Sequence, residues 1–251
     1  KYTTKHTIEQ FEDQHYKLVS DSTNGQDLIF DHDDNVDQTY EVHFVHGEHA
    51  INQTTSPKQT IHYVYADGLA HQGKAADDNV QQLSFKRDGY NDEVTGTDHW
   101  NAWKPAQQEF ASVKSPEIQG YTADQTEIPT IKVNADSDNI ERTVTYKANK
   151  QKLDVAFIDD TTGETLKTVT KDGVSDGSAN YNTKNDIDGY KAQHYNIVSD
   201  STNGHDLVFD HNDNVDQHYE VHLSHATHSI DDQTTKSEAI HYVYQNGSKA
   251  A

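Results

Sequence analysis

Residues 152–170, KLDVAFIDDTTGETLKTVT, carry the reading from which the fold follows. Leu153, Val155 and Phe157 alternate with polar neighbours, Asp159-Asp160-Thr161-Thr162-Gly163 is a cluster of turn formers, and β-branched residues resume at 165–170, so a β-hairpin is predicted. Downstream, 178–187 has modest helical potential with Asn and Asp breakers, and Gly189-Tyr190 is read as its end. Short strands are predicted at 194–199, 206–209, 217–223 and 238–244. The stretch 67–150 reads in the same order: a strand at 80–86, a turn near 87–92, helical potential over 100–110, Gly120-Tyr121, and a strand at 141–147. A hairpin crossed by one helix, with the last strand returning beside the first, makes a mixed sheet of the β-grasp (ubiquitin-like) type. The expected class is therefore α+β and strand-rich, with tandem β-grasp modules in an elongated array.

The modules recur. Placing residue i over residue i+179 aligns residues 1–65 without gaps, and 37 of the 65 pairs are identical. SDSTNGQDLIFDHDDNVDQTYEVH at 20–43 returns as SDSTNGHDLVFDHNDNVDQHYEVH at 199–222, and IHYVY at 61–65 returns at 240–244. With a period of 179 in a chain of 251, the sequence reads as an excised piece of a longer array. The expected division is 1–66 as the C-terminal part of one module type, 67–150 as a second type, and 151–251 as a complete copy of the first. Residues 1–66 lack the opening hairpin, so an exposed sheet edge is expected there, with pairing to a neighbouring chain as one remedy.

Composition narrows the function. The chain has no Cys, which excludes a disulfide framework, a thiolate nucleophile and Cys-ligated zinc. Its net charge is −22, from 20 basic and 42 acidic residues, and no basic run exceeds two residues, which argues against nucleic acid and anionic lipid. No apolar window is long enough for a transmembrane helix, and Lys1-Tyr2-Thr3-Thr4 opens into a polar stretch without signal-peptide character. Fourteen Tyr, 7 Phe and 2 Trp within short β-branched runs argue for a folded chain despite its polarity.

Several residues invite a chemical reading. His43, His46 and His49, repeated as His222, His225 and His228, suggest zinc by their types, but residues three apart on a strand face opposite sides, so surface or turn histidines are expected. Asp31, Asp33 and Asp37, with Asp210 and Asp216 in the second copy, space oxygen ligands as calcium loops do. They fail the EF-hand template, with Val36 or Val215 where Gly is needed, which leaves polar Asx-type turns or a calcium site of another kind. Trp100 and Trp103, near Tyr90, are candidates either for packing on the sheet or for stacking on sugar rings. No Gly-x-Ser-x-Gly elbow is present, and repeated weak sites suit avidity better than catalysis, so the chain is not expected to be an enzyme.

The modules resemble the mucus-binding repeats of large cell-surface adhesins of lactobacilli and their relatives. In 151–251 the resemblance rests on VAFIDDTTGETL (155–166), IDGY (187–190), FDHNDNVDQHYEVHLSH (209–225) and IHYVY; in 67–150 it rests on QQLSFKRDGYNDEVTG (81–96), SPEIQGYTAD (115–124) and RTVTYKA (142–148). It implies an extracellular, wall-anchored array of β-grasp-like modules on a Gram-positive cell, binding mucin glycans, with immunoglobulins as a further implied partner of some repeats. A spacer that lifts a distal binding domain off the cell is the alternative. Because 17 His would titrate between neutral and mildly acidic pH and move the formal charge from −22 to −5, binding to acidic mucin is expected to strengthen as pH falls.

Overall fold

The computed structural model describes residues 1–66, 68, 70–247 and 249, which fall into two units, Lys1–Asn149 and Lys150–Ala251. The first unit opens with helix α1 (Lys5–Glu12), strand β1 (Tyr16–Asp21) and strand β2 (Val42–His46). β1 and β2 are antiparallel, with Tyr16 opposite His46. α1 seats Phe11 on them, its ring 4.8 Å from Phe44 and 5.5 Å from Tyr16. The helix entry is tied down by Thr4, whose hydroxyl donates to Asp21 Oδ2 at 2.9 Å and lies 3.0 Å from the Thr23 hydroxyl.

Eleven strands follow: β3 (Glu48–Thr55), β4 (Lys58–Tyr65), β5 (Lys74–Gln82), β6 (Phe85–Asp92), β7 (Thr97–Trp100), β8 (Gln108–Phe110), β9 (Val113–Lys114), β10 (Tyr121–Ala123), β11 (Glu127–Ile128), β12 (Ile131–Val133) and β13 (Ile140–Ala148). They form a four-stranded sheet, β10-β13-β4-β5, whose central pair is parallel, and a three-stranded sheet, β3-β6-β7; β8 pairs with β12 and β9 with β11. Ile61, Tyr63, Val144 and Tyr146 from the central pair bury against Tyr121 and Ile128, as β-branched and aromatic residues do on a pleated surface. Phe85, Phe110, Val133 and Ala135 make a second core, with Trp103 packed against it. The IHYVY run at 61–65, assigned by the sequence to the first module, is thus the central strand of the sheet that residues 67–150 complete.

The second unit comprises β14 (Lys150–Asp159), β15 (Glu164–Val174), α2 (Lys184–Ala192), β16 (Tyr195–Asp200) and β17 (Gln217–His225). The predicted hairpin is β14–β15; Gly163 closes its turn with φ +76° and a 2.7 Å bond from its N–H to the Asp159 carbonyl. Sheet order is β15-β14-β17-β16, with β14 and β17 parallel. Leu153, Val155 and Phe157 of β14 bury with Val221 and Leu223 of β17, Ile187 of α2, and Leu207 and Phe209 from the connecting loop.

Four expectations fail. Residues 100–110 form no helix: they run from the end of β7 into β8, since Pro105 cannot donate a backbone N–H and disfavours helical geometry at Lys104. The predicted turn at 87–92 lies within β6, and the chain reverses at 93–96 instead. α2 runs through Gly189 and Tyr190, a glycine whose missing Cβ faces open space, and the chain leaves the helix at His194, with φ +65°. Residues 206–209 and 238–244 form no strand; the second copy of IHYVY has only an isolated bridge from Val243 to Lys249, and 226–242 hold no helix or strand.

Candidate functional site

The β6–β7 hairpin brings Trp100 and Trp103 together, with an arginine between them. Trp100 stands opposite Gly89, and the glycine is needed: a Cβ there would come 2.3 Å from the His99 carbonyl oxygen and 3.1 Å from the Trp100 ring. Arg87 lies on the same face of β6 as Gly89, two residues back. Its guanidinium carbon sits 4.5 Å from the Trp100 ring centroid and 4.5 Å from that of Trp103, within cation–π range of both. Its Nε donates to Gln53 Oε1 on neighbouring β3 at 2.8 Å, which fixes the guanidinium plane. Both indoles are half-buried, and Trp103 also packs on the Phe85–Phe110 core, so it has a structural role as well as a position in the cluster.

Tyr90 does not join them. It alternates with Gly89, so it faces the other side of the hairpin, where its exposed ring stacks on His99 at 4.8 Å with an interplanar angle of 21°. The sequence reading did not single out Arg87; the available signal was that a chain with 20 basic residues has only two arginines, Arg87 and Arg142.

Several histidines sit beside carboxylates. His46 Nδ1 lies 2.7 Å from Asp92 Oδ2 and His49 Nδ1 3.3 Å from Glu93 Oε1, so His46 of β2 and His49 of β3 both reach the end of β6. The His46 hydrogen bond pulls the Asp92 carboxyl down to about 2. His43 contacts Glu41 at 3.1 Å. In the second copy, His218 lies between Asp154 (2.7 Å) and Glu220 (3.2 Å), His222 between Asp160 (2.7 Å) and Glu220 (3.3 Å), and His225 2.9 Å from Asp159. Hydrogen bonds donated to Asp154 and Glu220 raise His218, and those donated to Asp160 and Glu220 raise His222, above the ordinary imidazole value. His43, His46 and His49 reach different acids, as do His222 and His225, and no metal-holding group of three or more His, Asp or Glu occurs among the described residues.

The acidic runs likewise satisfy the backbone. Asp31 Oδ1 accepts from Asp33 N at 3.1 Å and Asp33 Oδ1 from Asn35 N at 3.0 Å; Asp210 Oδ1 accepts from Asn212 N at 3.0 Å. These are Asx turns. Asp216 approaches Lys152 at 3.9 Å, and no group of three or more His, Asp or Glu able to hold a metal is found among the described residues.

Two family models match parts of the chain. A family model described as a Muc B2-like domain matches residues 48–150, and one described as a mucin binding domain matches 1–46 and 151–225. The first match begins at β3, as the sheet pairing does. Among solved structures, Mub-RV is 30% identical with a TM-score of 0.52, covering 59% of this chain and 83% of that one. The type 2 repeat of the mucus binding protein MUB from Lactobacillus reuteri is 33% identical over the same shares, with a TM-score of 0.41. A MucBP domain of the protein LBA1460 from Lactobacillus acidophilus is 36% identical, covering 41% of this chain and 99% of that one, with a TM-score of 0.35. No curated protein matches. The chain belongs to the family of mucus-binding repeats.

Proposed function

We propose that this chain is an adhesin segment that binds acidic, sialylated mucin glycans, without catalysis, from the extracellular face of a Gram-positive cell wall. Both four-stranded sheets, with their parallel central pairs, are read as variants of the β-grasp, the β10-β13-β4-β5 sheet being the one without a helix among its strands. The observation that carries the binding proposal is Arg87 held at 4.5 Å from both Trp100 and Trp103. A guanidinium fork matches a planar carboxylate such as that of sialic acid, and flanking indoles offer apolar faces to the sugar ring. In a chain of net charge −22 an anionic ligand needs a local cation, and a buttressed arginine provides one without a desolvated lysine. Tyr90 belongs to the opposite face and is assigned to a separate contact with His99 as its neighbour.

The test is adhesion of the chain to immobilised mucin before and after sialidase treatment, with Arg87→Gln alongside. Sialidase should remove most of the binding, and Arg87→Gln should match sialidase treatment while leaving the fold unchanged by circular dichroism. Binding insensitive to both would refute the assignment.

A further inference from the structure

A groove runs along α2 in the second unit. Leu166 of β15, Asn185, Gly189 and Tyr190 of α2, and Gln193 and Tyr195 beyond the helix line a hollow of about 410 Å³. A second hollow of about 350 Å³ adjoins it, sharing Asn185 and Asp186 and continuing past Asn180, Asn182 and Asp206. Asn185, Asp186, Gly189 and Tyr190 fall on one side of the helix, because residues four apart stand one above the other. Tyr190 packs on Phe157, with 5.4 Å between ring centroids, and meets Tyr195 edge to face at 5.7 Å and 79°. The two tyrosines thus form a braced aromatic corner.

Gly189 sets this surface apart from ordinary helix. A glycine inside a helix is costly in backbone entropy, and it is normally kept for a left-handed turn or a close approach. Neither applies here: the residue lies within α2, and a Cβ on it would meet nothing within 4 Å. The matching position in the first copy is Gln10 of α1, so the helix accepts a long side chain there. What a side chain at 189 would occupy is the groove. The rest of the wall follows suit. Asn185, Asp186 and Tyr190 match His6, Thr7 and Phe11, whereas Thr183 and Ile187, which seat the helix, match Thr4 and Ile8. The framework is repeated and the groove surface is not.

The chemistry of the wall selects the ligand. Among the described residues neither hollow has a Lys, Arg or His on its wall, and the neighbouring Lys167 is bound to Asp186, whose other oxygen accepts from the Tyr181 hydroxyl at 2.6 Å. A carboxylate or sulfate would meet no free cation. Gln193 Nε2 donates to the Gly189 carbonyl at 3.2 Å, which leaves its Oε1 open. The Asn185 amide and the Tyr190 and Tyr195 hydroxyls have no hydrogen-bond partner among the described residues. Amides that donate and accept, beside aromatic faces and a leucine, suit a ligand with many hydroxyls around an apolar ring face.

We propose that the α2 groove binds one uncharged pyranose unit of a glycan, stacked against the Tyr190–Tyr195 corner and hydrogen-bonded by Asn185 and Gln193. The site lies in the second unit, whereas Arg87, Trp100 and Trp103 lie in the first. It takes a neutral sugar where those residues are assigned an acidic one, and it stands or falls independently of them.

The test titrates galactose and N-acetylgalactosamine into the whole chain, with N-acetylneuraminic acid as the charged comparison, and follows backbone and side-chain amide signals by NMR. The neutral sugars are expected to shift the signals of residues 185–195 saturably, in the millimolar range that ligands of this size give, while N-acetylneuraminic acid leaves them in place. Gly189→Gln puts the first copy's side chain into the groove; it should keep or raise the melting temperature and weaken binding by about tenfold or more. Arg87→Gln should leave the titration unchanged, which separates this site from the acidic one. No saturable shift at 185–195 with either neutral sugar, or undiminished binding by the folded Gly189→Gln chain, would overturn the proposal. Equal shifts from N-acetylneuraminic acid would overturn it as well.

Discussion

Phe30 and Phe209 occupy the same place in the repeated sequence, yet the first is 93% and the second 2% exposed. A phenylalanine truncated in a tight core forfeits both transfer energy and packing, so Phe209→Ala should lower the stability of the second unit by about 3–5 kcal/mol, whereas Phe30→Ala should change the first by no more than about 0.5 kcal/mol. Urea unfolding of the two variants, followed by resolved signals from each unit, measures the contrast. Gly173→Val should behave like Phe209→Ala, since the added side chain displaces that ring. Gln59 offers the opposite sign. It is fully buried on β4, and neither its amide nitrogen nor its amide oxygen has a hydrogen-bond partner among the described residues. Replacing an unpaired buried amide by an apolar group of similar size removes a desolvation penalty, so Gln59→Leu should stabilise the first unit by about 1–3 kcal/mol, read as a raised urea midpoint; a lowered midpoint would show that the amide is paired in solution.

At the scale of elements, β17 carries a charge ladder. His218 and His222 are held above the ordinary imidazole value of about 6.5 by the carboxylates beside them. A folded-state pKa above the unfolded one means the native state binds the extra proton, so this stabilisation is complete below about 6.5 and fades as pH rises through the elevated values. Glu220 is depressed below 4.5 by the same hydrogen bonds, so its share appears above 4.5 and is lost as pH falls. The second unit should therefore melt highest between about pH 4.5 and 6.5 and lower at pH 8; calorimetry of the double variant His218→Gln and His222→Gln should flatten the upper slope. These elements also mark what could be read beforehand. The β14–β15 hairpin was legible because alternation and a Gly-closed turn are local signals, β13 because of its Thr143-Val144-Thr145 run, and β17 because Tyr219, Val221 and Leu223 alternate with polar residues. The 100–110 stretch was misread because its two tryptophans follow helical spacing while Pro105 forbids the helix. IHYVY was read as the same strand twice, although a strand needs a neighbour: residues 61–65 have β5 and β13 beside them, and 240–244 have neither. Trp100 and Trp103 were found by residue type, but Arg87 between them depends on cross-strand register across three strands, which no local pattern encodes.

Across the whole chain, net charge −22 coexists with 17 histidines, several of them beside acids. Protonation lowers the negative charge as pH falls, which weakens repulsion from an acidic glycan, so mucin binding should be stronger at pH 5 than at pH 7.4, the difference shrinking as salt screens it. Repetition turns weak single sites into useful adhesion, since each further contact forms at high effective concentration. The most direct test of the account is binding of this chain to purified mucin, native and sialidase-treated, at pH 5 and pH 7.4, with Arg87→Gln as the matched variant. The account predicts binding that is stronger at pH 5, reduced by sialidase, and lost in Arg87→Gln. Equal binding to native and desialylated mucin at both pH values, with Arg87→Gln unimpaired, would contradict it.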